Sequence, residues 1–82
     1  MQYKLILYND DVHSFEQIIA ALVTICGHEI DQAEQCAYIV HYKNSCVIKV
    51  GDTDDLVPMA DQLRSTGMDT LITTKLPTFK RL

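Results

Sequence analysis

The sequence predicts a two-layer α+β domain, a three-stranded antiparallel sheet with three helices on one face, in the order β-α-α-β-α-β. Two patterns carry this expectation. Three short β-rich runs are set apart by polar or glycine-marked breaks, and three apolar stripes recur at helical spacing. A third observation bounds it: 82 residues, 48% hydrophobic and 22% charged, suit one globular unit. No repeat or internal linker interrupts the chain. Residues 1–82 therefore read as a single domain, structured over about residues 3–74, with 75–82 as a tail.

Residues 3–8 (YKLILY) are too short for a helix and are stopped by Asn9-Asp10-Asp11, which predicts a strand buried on both faces. Ser14 then opens a helix, and Gln17 three residues on completes a capping box. Phe15, Ile18, Ile19, Leu22 and Cys26 share one stripe, and Gly27 stands where a left-handed cap is wanted. Asp31 with Glu34 repeats the capping pattern and predicts a second helix over about residues 32–43. Its small residues Ala33, Cys36 and Ala37, with Val40, admit a close neighbour, and Asn44 ends it. Residues 45–50 are β-branched enough for a strand. Residues 51–55 read as a polar turn with Asp55 as the next N-cap, because Pro58 then lies in a first turn. Leu56, Met59, Ala60 and Leu63 form the third stripe, and residues 70–74 the last strand.

A net charge of -4, with no basic run beyond Lys80-Arg81, argues against a nucleic-acid partner. No apolar stretch approaches the roughly 18 residues of a membrane span, and no secretory leader is visible, so no membrane partner and a cytoplasmic location are expected. Cys26, Cys36 and Cys46 are odd in number and widely spaced, the pattern of core thiols in a reducing compartment. No metal-ligand spacing, phosphate loop or nucleophile–base pair appears. Catalytic residues, metal and cofactor are accordingly read as none. An enzyme using Asp10 or Asp11 with His13 or His41 lacks the rest of its machinery.

Two places concentrate chemistry. The segment Asn9-Asp10-Asp11-Val12-His13 puts an amide, two carboxylates and an imidazole at a strand end. Turn geometry and helix-start electrostatics account for such residues by themselves. Strand-to-helix loops also carry function because a rigid frame positions them. His41 lies late in the second helix on a stripe with Ala37 and Val40, and a lone histidine there is ordinarily structural. Tyr38 and Tyr42 beside it read as amphipathic packing residues. Were loop and histidine to converge, they would form acceptors above an apolar floor. That arrangement suits an α-ammonium carrying a large hydrophobic side chain.

YKLILYNDD, the helix opening at Ser14-Phe15, and AYIVHY at the end of the second helix together resemble the ClpS adaptors of the Clp proteases. The resemblance runs over about residues 3–74 and implies the same α+β order. It further implies a non-enzymatic adaptor that binds bulky amino-terminal residues of substrate polypeptides and delivers them to an unfoldase N-domain of ClpA or ClpC type. Carried over by position, it assigns the α-amino group to Asn9, Asp10 and His41, and peptide-backbone contact to Asp11 and His13. It assigns the side-chain pocket to Phe15, Ile18, Ala37, Val40 and Leu71, with Thr70 as the other candidate for the last wall. His13 stands where the family commonly has threonine. Phe15 and Ala37 replace usual methionines, so one wall gains volume while the facing one loses it. The competing reading is a protein–protein interaction domain without amino-terminal recognition.

Overall fold

In the computed structural model, which describes residues 2–74, β1 (Tyr3–Tyr8) is the middle strand of a three-stranded antiparallel sheet of order β2-β1-β3. It is followed by α1 (Phe15–Cys26), α2 (Ile30–Lys43), β2 (Ser45–Gly51), α3 (Thr53–Ser65) and β3 (Asp69–Thr73). The predicted order and class are those observed. The tail expected over 75–82 lies outside the described residues.

The central position of β1 explains its uninterrupted apolar run. Leu5, Ile6 and Leu7 are all buried; Leu5 and Leu7 face the main core, while Ile6 lies outside it on the opposite sheet face. There Ile6 sits between Val47 of β2 and Leu71 of β3 in register. The β1–β2 register shifts between Leu5 and Ile6, so that Ile48 is passed over in the pairing. Such a bulge re-aims the strand and raises its local twist.

The core is built from Leu5 and Leu7, Ile18 and Leu22 of α1, Ala33, Ala37 and Val40 of α2, and Leu56, Ala60 and Leu63 of α3. Alanine at positions 33 and 37 lets α2 approach closely, as its small stripe predicts. The three cysteines are free and buried, and burial raises the Cys26 thiol above its ordinary value.

Helix α1 starts and stops where its sequence says. The Ser14 hydroxyl accepts the Gln17 amide at 3.1 Å, the Gln17 side chain accepts the Ser14 amide at 2.7 Å, and Gly27 caps the end at φ 72°. The other two helices start earlier than the capping patterns predict. Helix α2 begins at Ile30 with Glu29 as N-cap and no side-chain cap bond, and Asp31 falls inside the first turn. An acid there still complements the unpaired amides and the helix dipole. Helix α3 begins at Thr53 with Asp52 as N-cap, so Asp55 is helical and the polar turn shrinks to one residue. Both Asp55 and Leu56 amides donate to the Asp52 carbonyl, at 3.0 Å each, which fixes that start. Pro58 is then a true interior proline. It deprives the Asp54 carbonyl of its usual donor, and that carbonyl belongs to an exposed residue that water can serve.

Among the described residues no helix is long and apolar enough to cross a membrane.

Candidate functional site

Where β1 ends, the chain is pinned to the end of α2. The Asn9 amide donates to the Asn44 carbonyl at 2.9 Å, and Asn44 is the left-handed C-cap of α2 at φ 74°. Asn44 tolerates that conformation better than a branched residue would. Three residues before it stands His41. One hydrogen bond therefore holds the start of the loop beside the last turn of α2.

The loop is shaped by Asp10. Its Oδ1 accepts the amides of Val12 and His13, both at 2.8 Å, and its Oδ2 accepts His13 Nδ1 at 2.8 Å. This is the side-chain-to-backbone turn that aspartate favours. Partial burial opposes the Asp10 charge, yet the His13 and Val12 amides and the His13 ring outweigh it and hold the carboxyl below its ordinary value. The far nitrogen of His13, Nε2, lies 2.8 Å from the Thr66 carbonyl in the turn between α3 and β3. The hydrogen bonds to Asp10 and then to Thr66 raise the His13 pKa, against the effect of burial.

His41 is exposed, and its ring belongs to an aromatic group. The Phe15 and Tyr38 centroids are 4.9 Å apart edge-on, Phe15 and His41 6.4 Å, His41 and Tyr42 5.7 Å, and Tyr38 and Tyr42 stack at 5.9 Å. Phe15, Tyr38, His41 and Tyr42 line an open cleft of about 240 Å³. Among the described residues, the Asn9 side-chain amide, the Asp11 carboxylate and the His41 imidazole have no hydrogen-bond partner. All three are accessible at least in part.

The predicted site residues thus divide. The Asn9 backbone is tied to Asn44, three residues beyond His41, so two segments more than thirty residues apart in sequence meet at this end of the molecule. Asp10 and His13 have another occupation: the Asp10 oxygens build the loop, and both His13 nitrogens are committed inside the chain. Phe15 borders the cleft, whereas Ile18, Ala37 and Val40 are buried in the core and do not line it. Leu71 is a correction. It pairs with Ile6 and therefore lies on the sheet face turned away from the helices, 45% exposed. Strand alternation gives the helix-facing side to Thr70 and Ile72 instead, which oppose Leu7 and Leu5. Arg64 fixes Thr70 there through its hydroxyl at 3.1 Å and its carbonyl at 3.0 Å.

Tyr38 and Tyr42 were read as packing residues, yet they are 54% and 74% exposed and line the cleft. The available signal was their four-residue spacing flanking His41, which stacks two rings on one helix face. No three His, Cys, Asp or Glu side chains gather as a metal site among the described residues.

Fold and cleft together define a small two-layer α+β domain with an open, aromatic-lined cleft. The chain belongs to the ClpS family: residues 1–70 match the model of the ATP-dependent Clp protease adaptor protein ClpS. The structure of Agrobacterium tumefaciens ClpS2 bound to L-phenylalaninamide shares the fold, with a TM-score of 0.69 and 22% identity over 88% of this chain and 92% of that one. The E3 ubiquitin-protein ligase ubr-1 of Caenorhabditis elegans is 33% identical over 69 residues, 83% of this chain. The chain spans only about 3% of that ligase's length.

Proposed function

We propose that this chain is a non-enzymatic adaptor that binds the free amino-terminal residue of substrate polypeptides, when that residue is bulky and hydrophobic or aromatic. It then passes them, in the cytoplasm, to a Clp unfoldase of ClpA or ClpC type through that partner's N-domain. The observation that supports this reading is the Asn9–Asn44 hydrogen bond, which ties the start of the loop to the C-cap of α2, three residues beyond His41 of the aromatic-lined cleft.

In this reading the Asn9 carbonyl oxygen, the Asp11 carboxylate and a neutral His41 nitrogen take the protons of the α-ammonium. Asp10 shapes the loop that presents them. The side chain of the bound residue enters beside Phe15, towards the core residues Ile18, Ala37 and Val40. ClpS2 holds L-phenylalaninamide, whose free α-ammonium, aromatic ring and neutral amide are the groups of a peptide's first residue, and this supports the assignment. Burying such a side chain contributes roughly 1.5–3 kcal/mol. Each charge-assisted hydrogen bond adds about 1.5–3 kcal/mol. After association costs, a micromolar affinity near about -8 kcal/mol is expected.

Fluorescence anisotropy with paired peptides tests the reading. Acetylation of the amino terminus abolishes binding if the acceptors hold an ammonium; equal affinity for both peptides refutes the mechanism. His41→Ala is expected to weaken binding strongly while circular dichroism shows an intact fold. Loss of the fold instead returns His41 to a structural role.

A further inference from the structure

We propose that His13 is a positioning residue whose imidazolium clasps the loop of residues 9–13 to the α3–β3 turn, and so holds the recognition acceptors in place. The positioning role rests on the reading above; the clasp itself does not.

Both ring nitrogens of His13 face oxygens that bring no proton. Nδ1 lies 2.8 Å from Asp10 Oδ2, and Nε2 lies 2.8 Å from the Thr66 carbonyl. A carbonyl can only accept, and an ionised carboxylate can only accept. A neutral imidazole has one N–H and satisfies one of the two. Its other nitrogen would then press a lone pair against an oxygen lone pair. Only the imidazolium, a donor at both ends, matches its surroundings.

Asp10 is the charged group that faces the ring. The groove on the other side, lined by Gln17, Ala20, Thr24 and Met68 among others, has no second ionisable side chain. The fit at Thr66 is close. Gly67, next in the chain, has φ +91°, and a Cβ there would lie 3.3 Å from His13 Cε1. The turn thus has glycine where the ring must pass.

The clasp lies just beyond the last β1–β3 pair, Tyr8 with Asp69, and ties together the loop that leaves β1 and the turn that enters β3. At one end of the loop Asn9 is tied to Asn44, and at the other His13 is tied to Thr66. Between those anchors Asp10 closes the turn, which leaves Asp11 turned outward and exposed. Loss of the His13 proton releases one anchor and lets the acceptors wander. Recognition weakens accordingly as pH rises through the His13 transition, apart from any titration of the peptide itself.

The experiment has two arms on the full chain. Nitrogen-15 NMR of the histidine rings, without peptide, should show His13 as an imidazolium that titrates above the ordinary histidine value. A ring that titrates at or below that value overturns the clasp. Anisotropy with a free amino-terminal peptide then compares wild type with His13→Ala and His13→Gln. At about pH 6 the alanine variant should bind about tenfold more weakly, and the deficit should shrink towards about pH 9. The ratio of the two affinities cancels the titration of the peptide's own amine. Glutamine, which keeps a donor, should recover part of the loss. Equal affinities at both pH values overturn the positioning role. A wild-type chain that binds no peptide overturns the recognition reading and the positioning role together, and the ring titration still decides the clasp.

Discussion

Asp10→Asn keeps the shape of the side chain and the oxygen that the Val12 and His13 amides use, but it turns the atom facing His13 Nδ1 from an acceptor into a donor. Against an amide N–H the ring must accept at Nδ1 and donate from Nε2 to Thr66, which is the neutral tautomer. In the wild type the bond to Asp10, followed by that to Thr66, raises the His13 pKa. A raised folded-state value contributes stability that is fully present below the unfolded pKa, about 6.5. That contribution is lost as pH rises through the folded value. The charged bond exceeds its neutral replacement by about 1 kcal/mol. The His13 and Asp10 side chains are only 11% and 24% exposed, so solvent screens the pair incompletely. For a domain of this size 1 kcal/mol moves the melting temperature by about 4–8 °C. Wild type should therefore melt about 4–8 °C above Asp10→Asn at about pH 5.5, followed by circular dichroism, and the gap should close by about pH 9. An equal gap at both pH values, or none at the lower one, refutes the donor–acceptor argument.

Two further substitutions test the frame that holds the loop. Ser14→Ala breaks the reciprocal cap of α1 and should cost about 1 kcal/mol of stability, read from urea melts with an unchanged slope. Gly67→Ala puts a side chain at φ +91° and 3.3 Å from the His13 ring, so it should cost about 2 kcal/mol and move the His13 titration towards its ordinary value. Gly27→Ala, also at positive φ but with nothing within 4 Å, should cost about 1 kcal/mol and leave His13 unmoved.

The elements were legible because their local signals agree with the tertiary fold. YKLILY is apolar at every central position because β1 is covered on both faces. Ser14, Gln17 and Gly27 bound α1 because their caps are satisfied locally. Capping patterns misled for α2 and α3 because an acid within a first turn stabilises a helix almost as well as one at the cap, so Asp31 and Asp55 carry no register. The site was legible only in part. Asn9 and His41 were visible as residues, and the link between their segments depends on Asn44, whose cap is a local event with a distant consequence. The commitment of Asp10 and His13 was invisible, since Thr66 lies fifty-three residues from His13 and offers only a backbone carbonyl, which sequence never displays. Leu71 was misplaced by one residue. In a strand that is the difference between core face and open face.

The link between Asn9 and Asn44 also sets an order of assembly. A nascent chain that ends at residue 43 already contains the loop acceptors and all four rings of the cleft, His41 among them. It has nothing to hold α2 against β1, because that register is fixed only as Ser45 and the residues after it zip along Tyr8, Leu7 and Ile6. The loop and the cleft are thus tied to one another only once synthesis has passed Asn44 and β2 has paired with β1.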